Sequence, residues 1–142
     1  MRPVVFLDID GVLVTRGTQF HHFDPECVKA LNWLTSAADA RIVLSSSWRH
    51  MPGIRDIIAG ARIEAKVIGI TPDLNTMGRG LYTPRPRGDE IMAWFRQHAQ
   101  RRFVILDDDA DMGKLMPYLV RCGPDAGLTM PLAELALKIL ER

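Results

Sequence analysis

Five short apolar runs, rich in β-branched side chains, punctuate the chain: VVFLDI at 4–9, RIVLS at 41–45, KVIGI at 66–70, FVIL at 103–106 and YLVR at 118–121. Their apolarity is continuous rather than alternating, the mark of strands covered on both faces. Helical patterns lie between them. Asp24 followed by Pro25 offers an N-cap and a first-turn proline, after which Val28, Leu31 and Leu34 share one face. Ile54, Ile57 and Ile58 predict a short helix ended by Gly60, and Ile91, Trp94, Phe95 and His98 predict a longer one after Gly88. Leu132, Leu135, Ala136 and Ile139 behind Pro131 supply the last. Strands alternating with helices indicate an α/β fold, a three-layer Rossmann-like sandwich around a five-stranded, mainly parallel sheet. The segment LNTMGRGLYTPRPRG at 74–88 breaks both periodicities and reads as a loop. No repeat or linker divides the chain, so residues 1–142 are expected to form a single domain.

Composition narrows the partners. Lys and Arg number 18 against 17 acidic residues, a net charge of +1, so overall charge predicts neither tight nucleic-acid binding nor attraction to a membrane. Cys27 and Cys122 are too few and too distant for a metal cage and read as core residues in a reduced compartment. The chain enters its first strand after Met1-Arg2-Pro3 with no basic-apolar leader, and no apolar run approaches spanning length. A cytoplasmic protein with no membrane partner is the expectation.

The chemistry gathers where the strands end. The first ends in Asp8-Ile9-Asp10-Gly11, the second in Ser45-Ser46-Ser47-Trp48-Arg49 and the fourth in Asp107-Asp108-Asp109-Ala110-Asp111. Ligands of open α/β sheets bind outside the carboxyl ends of the strands. Asp8 and Asp10, two residues apart in extended chain, can both face one ligand. One ionised carboxylate can attack phosphorus, while the other protonates the leaving oxygen and then activates water. Gly11 lets the chain turn and brings backbone N–H groups toward an anion. A carboxylate repels phosphate unless a cation stands between them, and the acidic cluster after the fourth strand offers hard oxygen ligands for Mg²⁺. Taken singly, these are an ordinary turn, a solvated loop and a helix cap. Their coincidence after three buried strands points to a site.

With these residues the sequence resembles the haloacid-dehalogenase-like (HAD) superfamily of phosphohydrolases. FLDIDGVLV resembles the first motif, which implies Asp8 as nucleophile and Asp10 as general acid/base, with Asp8 and the Asp10 backbone carbonyl on magnesium. IVLSSSWR resembles the second motif, whose hydroxyl binds the transferring phosphoryl group; strand counting favours Ser46 over Ser45. Arg87 resembles the cation of the third motif, with Arg85 in reserve, where the family usually has lysine. FVILDDDADM resembles the fourth motif and implies Asp107 and Asp108 as magnesium ligands, Asp111 being a further candidate. Gly11, Ser45, Ser47, Arg49 and Arg85 are candidate substrate contacts. LSSSWR, VIGITP, RGDEIMAWF and ILDDD are together similar to the compact HAD domains of RNA-repair proteins, relatives of polynucleotide 3′-phosphatases.

Many members of the superfamily close their site with an inserted cap. Here Gly11 to Asp24 leaves room only for a flap, and Trp48 to Gly88 already holds a helix, a strand and the glycine-arginine loop, so no folded cap is expected. An open site suits a phosphate displayed on an RNA or DNA end, a nucleotide or a protein. Phe20, Arg79, Tyr82 and Arg85 would rim it, suiting phosphate contacts and base stacking. His21 and His22, lacking a third ligand, read as surface residues. Trp48 either packs beneath the site or lines it; Trp33 and Trp94 read as packing residues. The alternative function is a binding module that recognises phosphorylated ends without turnover. A receiver-type signalling domain fails on the placement of its acidic and basic residues. The enzymatic reading requires that the carboxylates of DID and DDD lie close enough to share an ion.

Overall fold

The five apolar runs form one sheet in which the run at 66–70 is followed by those at 41–45, 4–9, 103–106 and 118–121, with every neighbouring pair parallel. In the computed structural model, which describes all residues except 19–21, 79 and 101, the strands are β1 (Val4–Leu7), β2 (Arg41–Leu44), β3 (Val67–Ile70), β6 (Phe103–Asp107) and β7 (Leu119–Arg121). β1 lies at the centre, and all four of its side chains are fully buried, which explains the absence of polar alternation in its sequence. One face of the sheet, carrying Val5, Leu7, Ile42, Leu44, Val104 and Leu106, packs against α1 (Pro25–Ala38), α2 (Ile54–Gly60) and α4 (Met130–Leu140). The other face, carrying Val4, Phe6, Val43, Phe103 and Ile105, packs against α3 (Arg87–Gln97) and the segment around Met112 and Leu115. The result is the expected three-layer sandwich. Phe6 anchors the second face with edge-on contacts to Phe95 and Phe103, ring centroids 5.6 and 5.8 Å away.

The helix starts follow their local chemistry. Asp24 caps α1, its carboxylate accepting from the Glu26 N–H at 3.0 Å, and Pro25 fills the first turn. Thr129 caps α4 in the same way ahead of Pro131. Trp94 is buried as expected, whereas Trp33 stays 37% exposed. Cys27 and Cys122 are buried free thiols, their pKa values pushed up by burial to about 11 and about 12. No helix among the described residues is long and apolar enough to cross a membrane.

Two short features differ from the sequence expectation. The segment 74–88 is not all loop: it contains the antiparallel hairpin β4 (Thr76–Gly78) and β5 (Leu81–Thr83). Three-residue arms hold too few side chains to show alternation, and the glycines around the turn mask them further. Residues Gly113–Tyr118 form a 3₁₀ helix with Pro117 inside it, again too short for a period to be read.

Candidate active site

Register brings the chemistry together. Leu7 pairs with both Leu44 and Leu106, so Asp8, Ser45 and Asp107, the last residue of β6, stand in one row at the carboxyl ends of the three central strands. Backbone bonds hold that row: Ser45 N–H donates to Leu7 at 2.8 Å and Asp8 N–H donates to Leu106 at 3.0 Å. Asp8 and Asp107 are both buried, at 6% and 3% exposure. Carboxylate oxygens of Asp8, Asp107 and the half-buried Asp108 all lie within 4.8 Å of one another. Burial pushes the pKa of Asp8 well above the carboxylate range, and the Asp107 charge adds to it; burial likewise raises Asp107. Three hard oxygen donors at this spacing fit a divalent cation such as Mg²⁺, and Asp107 Oδ2 is buried with no hydrogen-bond partner among the described residues.

Gly11 serves this cluster sterically. Its φ is +77°, and a Cβ there would lie only 2.6 Å from Asp108 Cβ, so a side chain would evict the acid. Its N–H donates to Val14 at 2.9 Å and is therefore not presented to an anion, contrary to the sequence expectation. The tight turn that follows Asp8 consumes that donor, with the N–H groups of residues 12–14 all directed at the Ile9 carbonyl.

Asp10 is exposed, and its Oδ2 accepts from Trp48 Nε1 at 3.0 Å. Its carboxylate is outside the three-acid cluster, so the Asp10 side chain and the Asp8 side chain have separate partners. Trp48 in turn packs on Phe23, ring centroids 5.6 Å apart. Trp48 therefore fixes Asp10, which neither of the two expectations for it had foreseen. Ser46 caps the short 3₁₀ helix Ser47–His50, its Oγ accepting from Trp48 N–H at 3.2 Å. Ser45 Oγ is buried without a partner among the described residues. Ser45 is level with Asp8, while Ser46 lies one residue further toward the carboxyl edge.

Arg87 opens α3. Its Nε lies 3.9 Å from Asp107 Oδ2, and Nη1 donates to Glu90 at 3.1 Å. Arg85 instead pairs with Asp89 at 2.9 Å on the exposed side, so Arg87 is the arginine that reaches the acidic cluster. Asp111 does not join the cluster either: its Oδ2 accepts from Arg87 N–H at 2.8 Å, capping α3, and its carbonyl accepts from Gly88 N–H at 3.0 Å. Gly88 permits this, since a Cβ there would strike the Met112 backbone.

Arg49 is buried, and its guanidinium grips Glu90 with two bonds, 3.1 and 2.8 Å, a partner the sequence did not suggest, while it also lines the cavity beside Arg87. Glu90 also accepts from Leu74 N–H at 3.0 Å and from Arg87, tying the 3₁₀ helix, the approach to the hairpin and α3 into one network. Nothing in the sequence marked Glu90 beyond an acid in a helix's first turn. Of its partners, Arg87 lies three residues away, but Leu74 and Arg49 are 16 and 41 residues away, beyond any local pattern. Phe20, His21 and Arg79 lie outside the described residues.

The sequence matches, over residues 4–133, the family described as the HAD domain in Swiss Army Knife RNA repair proteins. No curated protein matches.

Proposed function

The chain belongs to the family of HAD domains found in Swiss Army Knife RNA repair proteins, and on that premise we propose that it is a magnesium-dependent phosphomonoester hydrolase. Membership supports a HAD-type phosphohydrolase in general terms. The finer reading is an aspartyl-phosphate mechanism acting on phosphorylated RNA or DNA ends or on nucleotides, within a single domain spanning 1–142. The observation that carries it is the convergence of Asp8, Asp107 and Asp108 within 4.8 Å, beside Arg87.

In this mechanism an Asp8 carboxylate oxygen attacks phosphorus and the ester P–O bond breaks. Asp10 delivers its proton to the departing oxygen. The carboxylate of Asp10 then takes a proton from water, whose oxygen attacks the phosphoryl group; the bond to Asp8 breaks and inorganic phosphate leaves. The roles suit the two environments. Asp8 is buried among acids, where a bound cation would hold it ionised, and Asp10 is solvent-facing and oriented by Trp48. Ser46, its oxygen held by Trp48 N–H, has a hydroxyl hydrogen left to offer a phosphoryl oxygen, and Ser45, level with Asp8 and with its Oγ unpartnered among the described residues, is the alternative donor. Arg87 adds positive charge to the same oxygens. Magnesium held by Asp8, Asp107, Asp108 and the Asp10 carbonyl would neutralise the repulsion between carboxylate and phosphate.

The test is a phosphate-release panel with and without Mg²⁺, spanning 3′- and 5′-phosphorylated oligonucleotides, mononucleotides, sugar phosphates and phosphopeptides, run beside Asp8→Asn. Magnesium-dependent release that Asp8→Asn abolishes is expected. Binding without release, equal in wild type and variant, would replace the enzyme with a recognition module.

A further inference from the structure

A cavity of about 320 Å³ adjoins the acidic cluster, and the proposed hydrolase gives it no task. Arg87 forms the shared wall: it lines the cavity and also reaches within 3.9 Å of Asp107. Ser47, directly after the second-motif serines, lines it as well. A group attached to a phosphate held at Asp8 therefore has this space next to it.

The charges of the walls select what enters. Arg49, Arg85 and Arg87 face the cavity, but each is already ion-paired, with Glu90, Asp89 and Glu90 respectively. Asp73, Glu90 and Asp111 contribute three carboxylates, so the lining has as many acids as arginines. A second phosphate finds no uncommitted guanidinium among the residues that line this cavity, and its charge would face those acids. A neutral group with donors and acceptors fits better.

The remaining wall is aromatic. Tyr82, on β5, lines the cavity while 61% of its surface is uncovered, on a hairpin whose base is fastened by Arg85 N–H donating to Asn75 Oδ1 at 2.7 Å. A large ring left bare on a fastened two-stranded arm is a platform for a flat partner. From this combination we infer that the cavity receives the nucleoside carrying the scissile phosphate, with its base stacked on Tyr82. The inference rests on the phosphatase reading for the position of the phosphate and adds where the base binds and the residue that selects it.

Calorimetric binding to the Asp8→Asn protein in Mg²⁺ tests it without requiring turnover. A nucleoside monophosphate should bind at least about tenfold more tightly than ribose 5-phosphate, which lacks the base. Adding Tyr82→Ala should weaken the nucleotide by roughly 5- to 150-fold, the span of base–aromatic stacking, and leave ribose phosphate unchanged, while Tyr82→Phe keeps the preference. Equal affinities for the two ligands, or a Tyr82→Ala loss shared equally by both, would overturn the inference. A parallel titration with a phosphorylated trinucleotide distinguishes a chain end, which gains affinity from its added residues, from a free nucleotide. Base-selective binding in a wild-type protein that releases no phosphate would sink the hydrolase and keep the subsite; release indifferent to the base would do the reverse.

Discussion

Replacing Asp8 by Asn should stabilise the metal-free protein, although it removes the proposed nucleophile. Asp8, Asp107 and Asp108 bring carboxylate oxygens within 4.8 Å, two of the residues being buried. At that distance and an effective dielectric constant of about 20, two full charges repel by about 3.5 kcal/mol. Burial and this repulsion raise the folded pKa values of Asp8 and Asp107. Between the ordinary carboxylate range near 4 and those raised values, the folded state binds more protons than the unfolded chain, so metal-free stability falls as pH rises through that window. Because the two acids retain part of a proton, the full repulsion is not reached, and the expected gain from Asp8→Asn at about pH 8 is roughly 2–3 kcal/mol. In a chain of this size that is a rise of roughly 6–10 °C in Tm. At about pH 5, where both acids hold protons, the gain should largely vanish. Saturating Mg²⁺ should erase this advantage, since 100-fold excess over Kd stabilises the wild type by about 2.7 kcal/mol, comparable to the variant's gain, and the variant has lost a ligand. Thermal melts in chelator and in Mg²⁺ at the two pH values decide the matter. A metal-free Asp8→Asn protein no more stable than wild type at about pH 8, or equally stabilised at both pH values, would mean that these acids do not share one pocket.

Two further outcomes follow from the network around the site. Glu90→Ala takes from the buried Arg49 guanidinium its two-bond partner and leaves only Asp73, 3.5 Å away and partly exposed; it should cost about 3–5 kcal/mol in denaturant unfolding, whereas a loss under about 1 kcal/mol would show that Asp73 or solvent takes over. Trp48→Phe keeps an aromatic ring against Phe23 but removes the N–H donated to Asp10. It should lower kcat about tenfold or more with KM little changed; a KM effect alone would place Trp48 in substrate binding.

The strands were legible because burial on both faces leaves continuous apolar runs, and the start of α1 because Asp24-Pro25 satisfies a helix's first N–H groups locally. The acidic and serine-rich segments could be placed at a site because they follow buried strands. Their roles were less legible. Asp111 and Asp108 belong to one acidic stretch, yet Asp111 caps α3 and Asp108 faces Asp8. Arg49, expected as a substrate contact, lines the cavity beside Arg87, but its buried ion pair with Glu90 could not be read from the chain. Hairpin β4–β5 was invisible because three-residue arms carry no measurable period.

The sequence alone therefore determined the layer architecture, the parallel strands and the three polar strand ends, since hydrophobic periodicity and helix capping are local properties of neighbouring residues. Tertiary structure decided which side chains meet: Asp8 with Asp107 and Asp108, Trp48 with Asp10, and Glu90 with Arg49 and Arg87. Those pairings span up to a hundred residues of chain and depend on strand register and helix placement, and side-chain direction at a strand end reverses with a shift of one residue.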